Sequence, residues 1–133
     1  MNYADLLKDY SLKVTPQRLA IVEELNHKGH MNIDDLYTSL LKKFPSISLA
    51  TIYKNVNAML EKIFLNEVKI PNQKSVYELT KEEHSHVVCK SCNAIMDIKL
   101  DTTKLLAEAT QLTQFNLDEG SVVFTGTCPK CSK

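Results

Sequence analysis

Tryptophan is missing from this chain of 133 residues and glycine occurs only three times. No apolar run approaches the roughly 20 residues that a membrane-spanning helix needs, so a bilayer span is excluded. The shortage of glycine argues against a glycine-rich phosphate cradle, and with it against a P-loop or dinucleotide-binding enzyme. An excess of charge is lacking too: Lys plus Arg and Asp plus Glu both number 16. Bulk charge therefore gives no argument for a nucleic-acid partner, which must be read from local patterning or not at all. No apolar signal segment follows Met1-Asn2-Tyr3, from which a reducing, cytoplasmic setting is expected. A composition of 44% hydrophobic and 24% charged residues suits a soluble globular chain of one domain or two small ones.

What is present begins with cysteine, which occurs only as two pairs, Cys89-x-x-Cys92 and Cys128-x-x-Cys131. A two-residue spacer lets both sulfurs of a pair reach one ion about 2.3 Å away, and two such knuckles complete a tetrahedral zinc site of four thiolates. Such a closed shell is structural and leaves no position for substrate. Two disulfides or a redox pair are the alternatives, which the expected reducing setting disfavours.

The first half reads as helices. Residues 3 to 10 carry Leu6, Leu7 and Tyr10 in a short amphipathic pattern. Thr15 is placed to cap a second helix with Pro16 at its first position, running to about Asn26, stopping near Gly29 and burying Leu19, Val22 and Leu25. Asn32 caps a third, whose stripe is Ile33, Leu36, Tyr37, Leu40, Leu41 and Phe44 before Pro45. Ser48 caps a fourth, Leu49 to about Lys62, with Ile52, Val56, Met59 and Leu60 inward. Its outer face offers Ser48, Thr51, Tyr53, Lys54, Asn55 and Asn57, with no acidic residue before Glu61. Hydroxyls, amides, a phenol and a lysine suit phosphate and base-edge contacts in a major groove, although a solvated polar face would look much the same. Two period-2 runs, 66–70 and 75–79, flank Pro71-Asn72-Gln73-Lys74 and read as a hairpin. Helices followed by a hairpin make a winged helix-turn-helix, with the fourth helix as reader and the hairpin as wing.

From about Lys81 the pattern changes to short strands around one helix. Strands are expected at 87–89, 94–98, 115–117 and 122–125, with a helix from about Thr102 to Thr113 capped by Asp101. So small a sheet has little core, which makes a zinc staple and pairing with a second copy physically sensible. The expected class is α+β: an N-terminal winged helix-turn-helix over 1–80, then a small α/β dimerisation domain over 81–133 with the four-cysteine zinc site. In Glu83-His84-Ser85-His86 an extended backbone sends both imidazoles to one face, a ready metal chelate that the carboxylates of Glu78 and Asp97 could join. A mixed imidazole and carboxylate set suits Fe(II), Mn(II) or Zn(II). An exposed polar strand edge is the plainer reading of the histidine pair, and His27 reads as a helix-end histidine favourable to the dipole.

Thr15-Pro16-Gln17-Arg18, Leu49-Ala50-Thr51-Ile52-Tyr53-Lys54, Tyr77-Glu78-Leu79, His84-Ser85-His86-Val87-Val88-Cys89-x-x-Cys92 and Cys128-x-x-Cys131 together resemble the ferric uptake regulator family, Fur. The match runs in order over nearly the whole chain. The resemblance implies a homodimeric, metal-responsive transcriptional repressor that binds a double-stranded DNA operator, with no membrane and no small organic substrate among its partners. It implies structural zinc at Cys89, Cys92, Cys128 and Cys131, and a regulatory Fe(II) or Mn(II) at a hinge site of His30, Glu78, His84 and His86.

Asp97 occupies a position that is also a ligand in the peroxide-sensing branch, PerR, whereas Glu78 looks like the iron sensors. Thr127, Glu83 and Ser85 stand where some iron regulators carry a further site, which leans the chain toward PerR. The reading is a repressor that senses peroxide through iron-catalysed oxidation of His30 or His84; the alternative is a sensor of iron or another divalent metal that represses uptake genes. Tyr53, Lys54, Thr51 and Asn55 are expected in the groove, and Arg18, the only arginine, on phosphate or in the minor groove. No enzymatic activity is expected. A hydrolytic metal centre at the hinge and a zinc protein that binds a protein partner through its fourth helix are the readings from other classes.

Overall fold

A computed structural model of the chain describes residues 2–132. It separates into two compact units, Met1–Lys81 and Glu82–Lys133.

The first unit opens with α1 (Tyr3–Asp9) and α2 (Pro16–Lys28), followed by β1 (Met31–Asn32), α3 (Ile33–Leu41), α4 (Leu49–Glu61), β2 (Leu65–Val68) and β3 (Val76–Leu79). Each helix start is written in its cap. Asn2, Thr15, Asn32 and Ser48 accept hydrogen bonds from the backbone N–H three residues on, satisfying one of the donors that a helix start leaves open. The α2 helix runs two residues past the expected end and stops at Gly29, whose φ of 85° is open to glycine and strained for other residues. Its buried stripe is Ala20, Ile21, Val22 and Leu25, with Leu19 only half covered.

The α3 helix ends at Leu41, short of the expected Phe44. The residue before a proline is driven out of the helical region, so Phe44 precedes Pro45 in a turn and packs its ring on the core from outside the helix. Between α4 and β2 the chain turns through Ile63 at φ 59°. Ile63 N–H donates to Leu60 O at 3.0 Å and Phe64 N–H to Met59 O at 2.9 Å. Those two bonds define a Schellman corner, and buried Phe64 and Met59 are its apolar contact.

The hairpin forms as expected from the two period-2 runs, with β2 and β3 antiparallel and Glu67 facing Tyr77. A third strand was not anticipated: β1 pairs β3 through Met31 and Tyr77, giving the order β1-β3-β2. Two residues are too few for periodicity to register. Leu7, Ile21, Leu25, Leu36, Leu40, Ile52 and Met59 form the fully buried centre of this unit.

The second unit holds β4 (Ser85–Cys89), β5 (Ile95–Ile98), α5 (Thr103–Thr113) and β6 (Val123–Gly126). The sheet order is β5-β4-β6, with β4 antiparallel to β5 and parallel to β6. The connection through α5 supplies the crossover that a parallel pair requires. Residues 115–117 are not a strand, contrary to expectation, and Phe115 is exposed. The helix begins one residue later than expected. Asp101 Oδ1 accepts from Thr103 N–H, while the Thr102 hydroxyl donates to Glu83 instead of capping. None of the residues of α5 is buried, and Met96, Leu105, Leu112 and Phe124 lie open.

Candidate metal centres and nucleic-acid face

Cys89 is the last residue of β4, and the chain doubles back immediately. Asn93, in the left-handed region at φ 63°, donates its N–H to Cys89 O at 2.8 Å, while Cys89 N–H reaches Ala94 O at 2.9 Å. Lys90 N–H donates to Gly126 O at 2.8 Å, tying this knuckle to β6 and so to the second one, where Cys131 N–H reaches Cys128 O at 3.0 Å. All four sulfurs fall within 4.8 Å of one another, and Cys92 and Cys128 stand 3.9 Å apart. A tetrahedron with metal–sulfur bonds of about 2.3 Å requires sulfur separations of about 3.8 Å, so the cradle fits zinc. Disulfide pairing, the alternative left open by the spacing, is absent: all four are free thiols.

The thiols differ in acidity. Backbone N–H groups of Cys128 and Cys92 donate toward Cys89 and bring its pKa down to about 6, while the Cys131 S–H, donating to the sulfurs of Cys128, Cys92 and Cys89, is held protonated and its pKa pushed up to about 12. Cys89 thus gives up its proton well before Cys131.

The imidazoles and carboxylates fall into one group in each unit. In the first, the β1–β3 pairing brings His30 beside Glu78, with Nε2 and Oε2 2.9 Å apart and the carboxylate buried. In the second, His86 and Asp97 are direct partners in the β4–β5 register and lie 3.5 Å apart. His84 Nε2 is 3.8 Å from the same Asp97 oxygen, and the two imidazole rings are 4.5 Å apart between centroids. His84 Nδ1 lies 2.8 Å from Glu82 O. A carbonyl only accepts, so Nδ1 is the donor in this contact and the bond fixes the orientation of the ring. The Glu82 carbonyl was not singled out from the sequence, where nothing marks a backbone oxygen as the partner of a ring.

On α4, Tyr53, Lys54 and Asn57 are exposed, whereas Thr51 and Asn55 are half-buried. The Thr51 hydroxyl is 2.9 Å from that of Ser48. Arg18 and Asn55, 37 residues apart in sequence, are joined by a 3.0 Å hydrogen bond. Among the described residues no helix is long and apolar enough to cross a membrane.

A winged-helix unit followed by a small sheet that carries a thiolate cradle defines the class: a metal-binding winged-helix protein. Comparison with known proteins makes this specific. The model of the ferric uptake regulator family matches residues 9–125. The peroxide operon regulator of Bacillus subtilis is 33% identical over 133 residues, covering 97% of this chain and 90% of that protein. The ferric uptake regulation protein of the same organism is 31% identical over 133 residues, covering 95% and 89%. Among solved structures, the peroxide stress regulator of Campylobacter jejuni is 38% identical, with a TM-score of 0.71 over 98% of this chain and 100% of its own. The chain belongs to the ferric uptake regulator family, whose members are metal-dependent transcriptional repressors.

Proposed function

We propose that this protein is a peroxide-responsive repressor of the family. It would bind its operator as a homodimer in the cytoplasm, and it would act as a regulator rather than as an enzyme. Residues 1–80 would be the DNA-binding domain, with α4 in the major groove. Residues 81–133 would carry dimerisation, for which the open apolar side chains of α5, Met96 and Phe124 supply a surface. Zinc would be held by Cys89, Cys92, Cys128 and Cys131. A regulatory Fe(II) or Mn(II) would be held by His30 and Glu78 together with His84, His86 and Asp97.

The observation that carries the reading is Asp97. Its carboxylate lies within 3.8 Å of both imidazoles of its unit, so this unit offers three convergent donors. Such nitrogen and oxygen donors suit Fe(II) and Mn(II) better than the soft thiolate set does. Ligands drawn from both domains make metal affinity depend on the domains' arrangement, so that occupancy raises the population of the DNA-binding dimer. Bound Fe(II) would supply the electron that peroxide needs to oxidise an adjacent imidazole. His30 or His84, once oxidised, donates poorly, the tie between the domains weakens, and the operator is released.

Peptide mass analysis tests this after loading with Fe(II) or Mn(II) and exposure to low peroxide. An added oxygen on the His30 or His84 peptide with iron only, together with loss of operator binding, is expected. Unmodified histidines with metal-dependent DNA binding would instead establish the second reading, a sensor of iron supply. That reading draws on Glu78, the longer carboxylate found at this position in iron sensors, here 2.9 Å from His30.

A further inference from the structure

The polar side chains of α4 are not equally free to meet DNA. Asn55 Oδ1 accepts from Arg18 Nε at 3.0 Å, and its Nδ2 donates to Thr51 O at 3.0 Å. An asparagine reads adenine by using both ends of its amide at once, and here each end already holds a partner within its own unit. Arg18 is equally committed on one side: its Nη1 donates to Lys13 O at 3.1 Å, and its backbone N–H is capped by Thr15. A guanidinium carries five N–H groups; two are used in these bonds, and three remain for an anion. A long side chain gives up rotamer freedom when it meets a phosphate, and one already held in place gives up less.

We infer that Asn55 is a positioning residue and not a base reader: it splints Arg18 across the α2–α4 junction, so that the guanidinium meets a DNA phosphate already oriented. The inference rests on the operator-binding reading above. It predicts that Asn55 acts on affinity and salt dependence through Arg18, and leaves base preference alone.

The test uses the full-length Mn(II)-loaded protein and a labelled duplex that the wild type has selected from a random-sequence pool. Affinity is measured at several salt concentrations for wild type, Arg18→Ala, Asn55→Ala and the double variant, with thermal unfolding as a check on folding. Arg18→Ala should weaken binding about five- to tenfold and reduce the salt slope by about 1, as loss of a phosphate contact does. Asn55→Ala should lower affinity and slope in the same direction, and the double variant should be no worse than Arg18→Ala alone. Arg18→Lys keeps the charge but not the fork, so it should be insensitive to a further Asn55→Ala change. If Asn55→Ala keeps the full salt slope while tolerating substitution at one base pair of the duplex, Asn55 reads a base and the inference fails. Unchanged binding by Asn55→Ala overturns it as well. If the wild type selects no duplex at all, the operator-binding reading itself has failed, and the inference with it.

Discussion

His86 and Asp97 face each other across the β4–β5 ladder, with ring nitrogen and carboxylate oxygen 3.5 Å apart. The pairing is produced by register, since residues directly opposite in an antiparallel ladder share one face of the sheet. A shift of one residue in either strand would carry one of them to the other face.

The first prediction concerns that pair. Asp97→Asn keeps the shape of the side chain and removes its charge. Mn(II) affinity is expected to fall roughly 10- to 100-fold, the scale on which carboxylate partners support a metal site. Zinc content should stay at that of the wild type, because the thiolate cradle does not use Asp97. Metal titration and elemental analysis of one preparation measure both, and an Mn(II) affinity equal to wild type would remove Asp97 from the site.

Ile63 is a β-branched residue held at φ 59°, and it is 64% exposed. A left-handed conformation costs an L-residue about 1–2 kcal/mol, partly offset by the greater chain entropy that glycine loses on folding. Ile63→Gly should therefore raise stability by up to about 1 kcal/mol, seen as a higher denaturant midpoint at unchanged slope. A lower midpoint would mean that the exposed side chain makes contacts outweighing the strain.

Lys54 is exposed on the outer face of α4. Lys54→Ala should weaken operator binding at every sequence tested and reduce the salt slope by about 1. Equal binding by the variant across several salt concentrations would take Lys54 off the DNA.

In the zinc-free, reduced protein Cys89 should be a thiolate at neutral pH, because it is brought down to about 6 from an ordinary value of 9.0. The sign follows from linkage. A depressed acid stabilises the fold fully above its unfolded value, and this contribution is lost as pH falls through about 6. Cys131, pushed up to about 12, contributes in the opposite sense, fully below 9.0 and lost as pH rises through 12. Thiolate absorbance near 240 nm should rise with a midpoint near pH 6 in the wild type and lose that step in Cys89→Ala. A first step at the ordinary thiol value would refute the assignment.

Much of this architecture could be read locally. Thr15, Asn32 and Ser48 announce helix starts because a cap bonds only three residues ahead, and the apolar stripe of α3 repeats with the helical period. The cysteine pairs are equally local, each closed by a backbone hydrogen bond within a few residues: Asn93 N–H to Cys89 O in the first and Cys131 N–H to Cys128 O in the second. Two elements escaped for opposite reasons: β1 is too short to show a period, whereas residues 115–117 are apolar enough to suggest a strand but find no partner. An isolated strand has nowhere to send its backbone hydrogen bonds.

By itself, the sequence determined the elements, their caps, the donor types and the four thiols as a set, since these depend on chemistry within a few residues. Tertiary structure alone decided that β4 lies parallel to β6, that His86 faces Asp97, and that Asn55 holds Arg18. These contacts join parts of the chain 11 to 37 residues apart, and their formation depends on which ladders and packed faces close together, which no local period records.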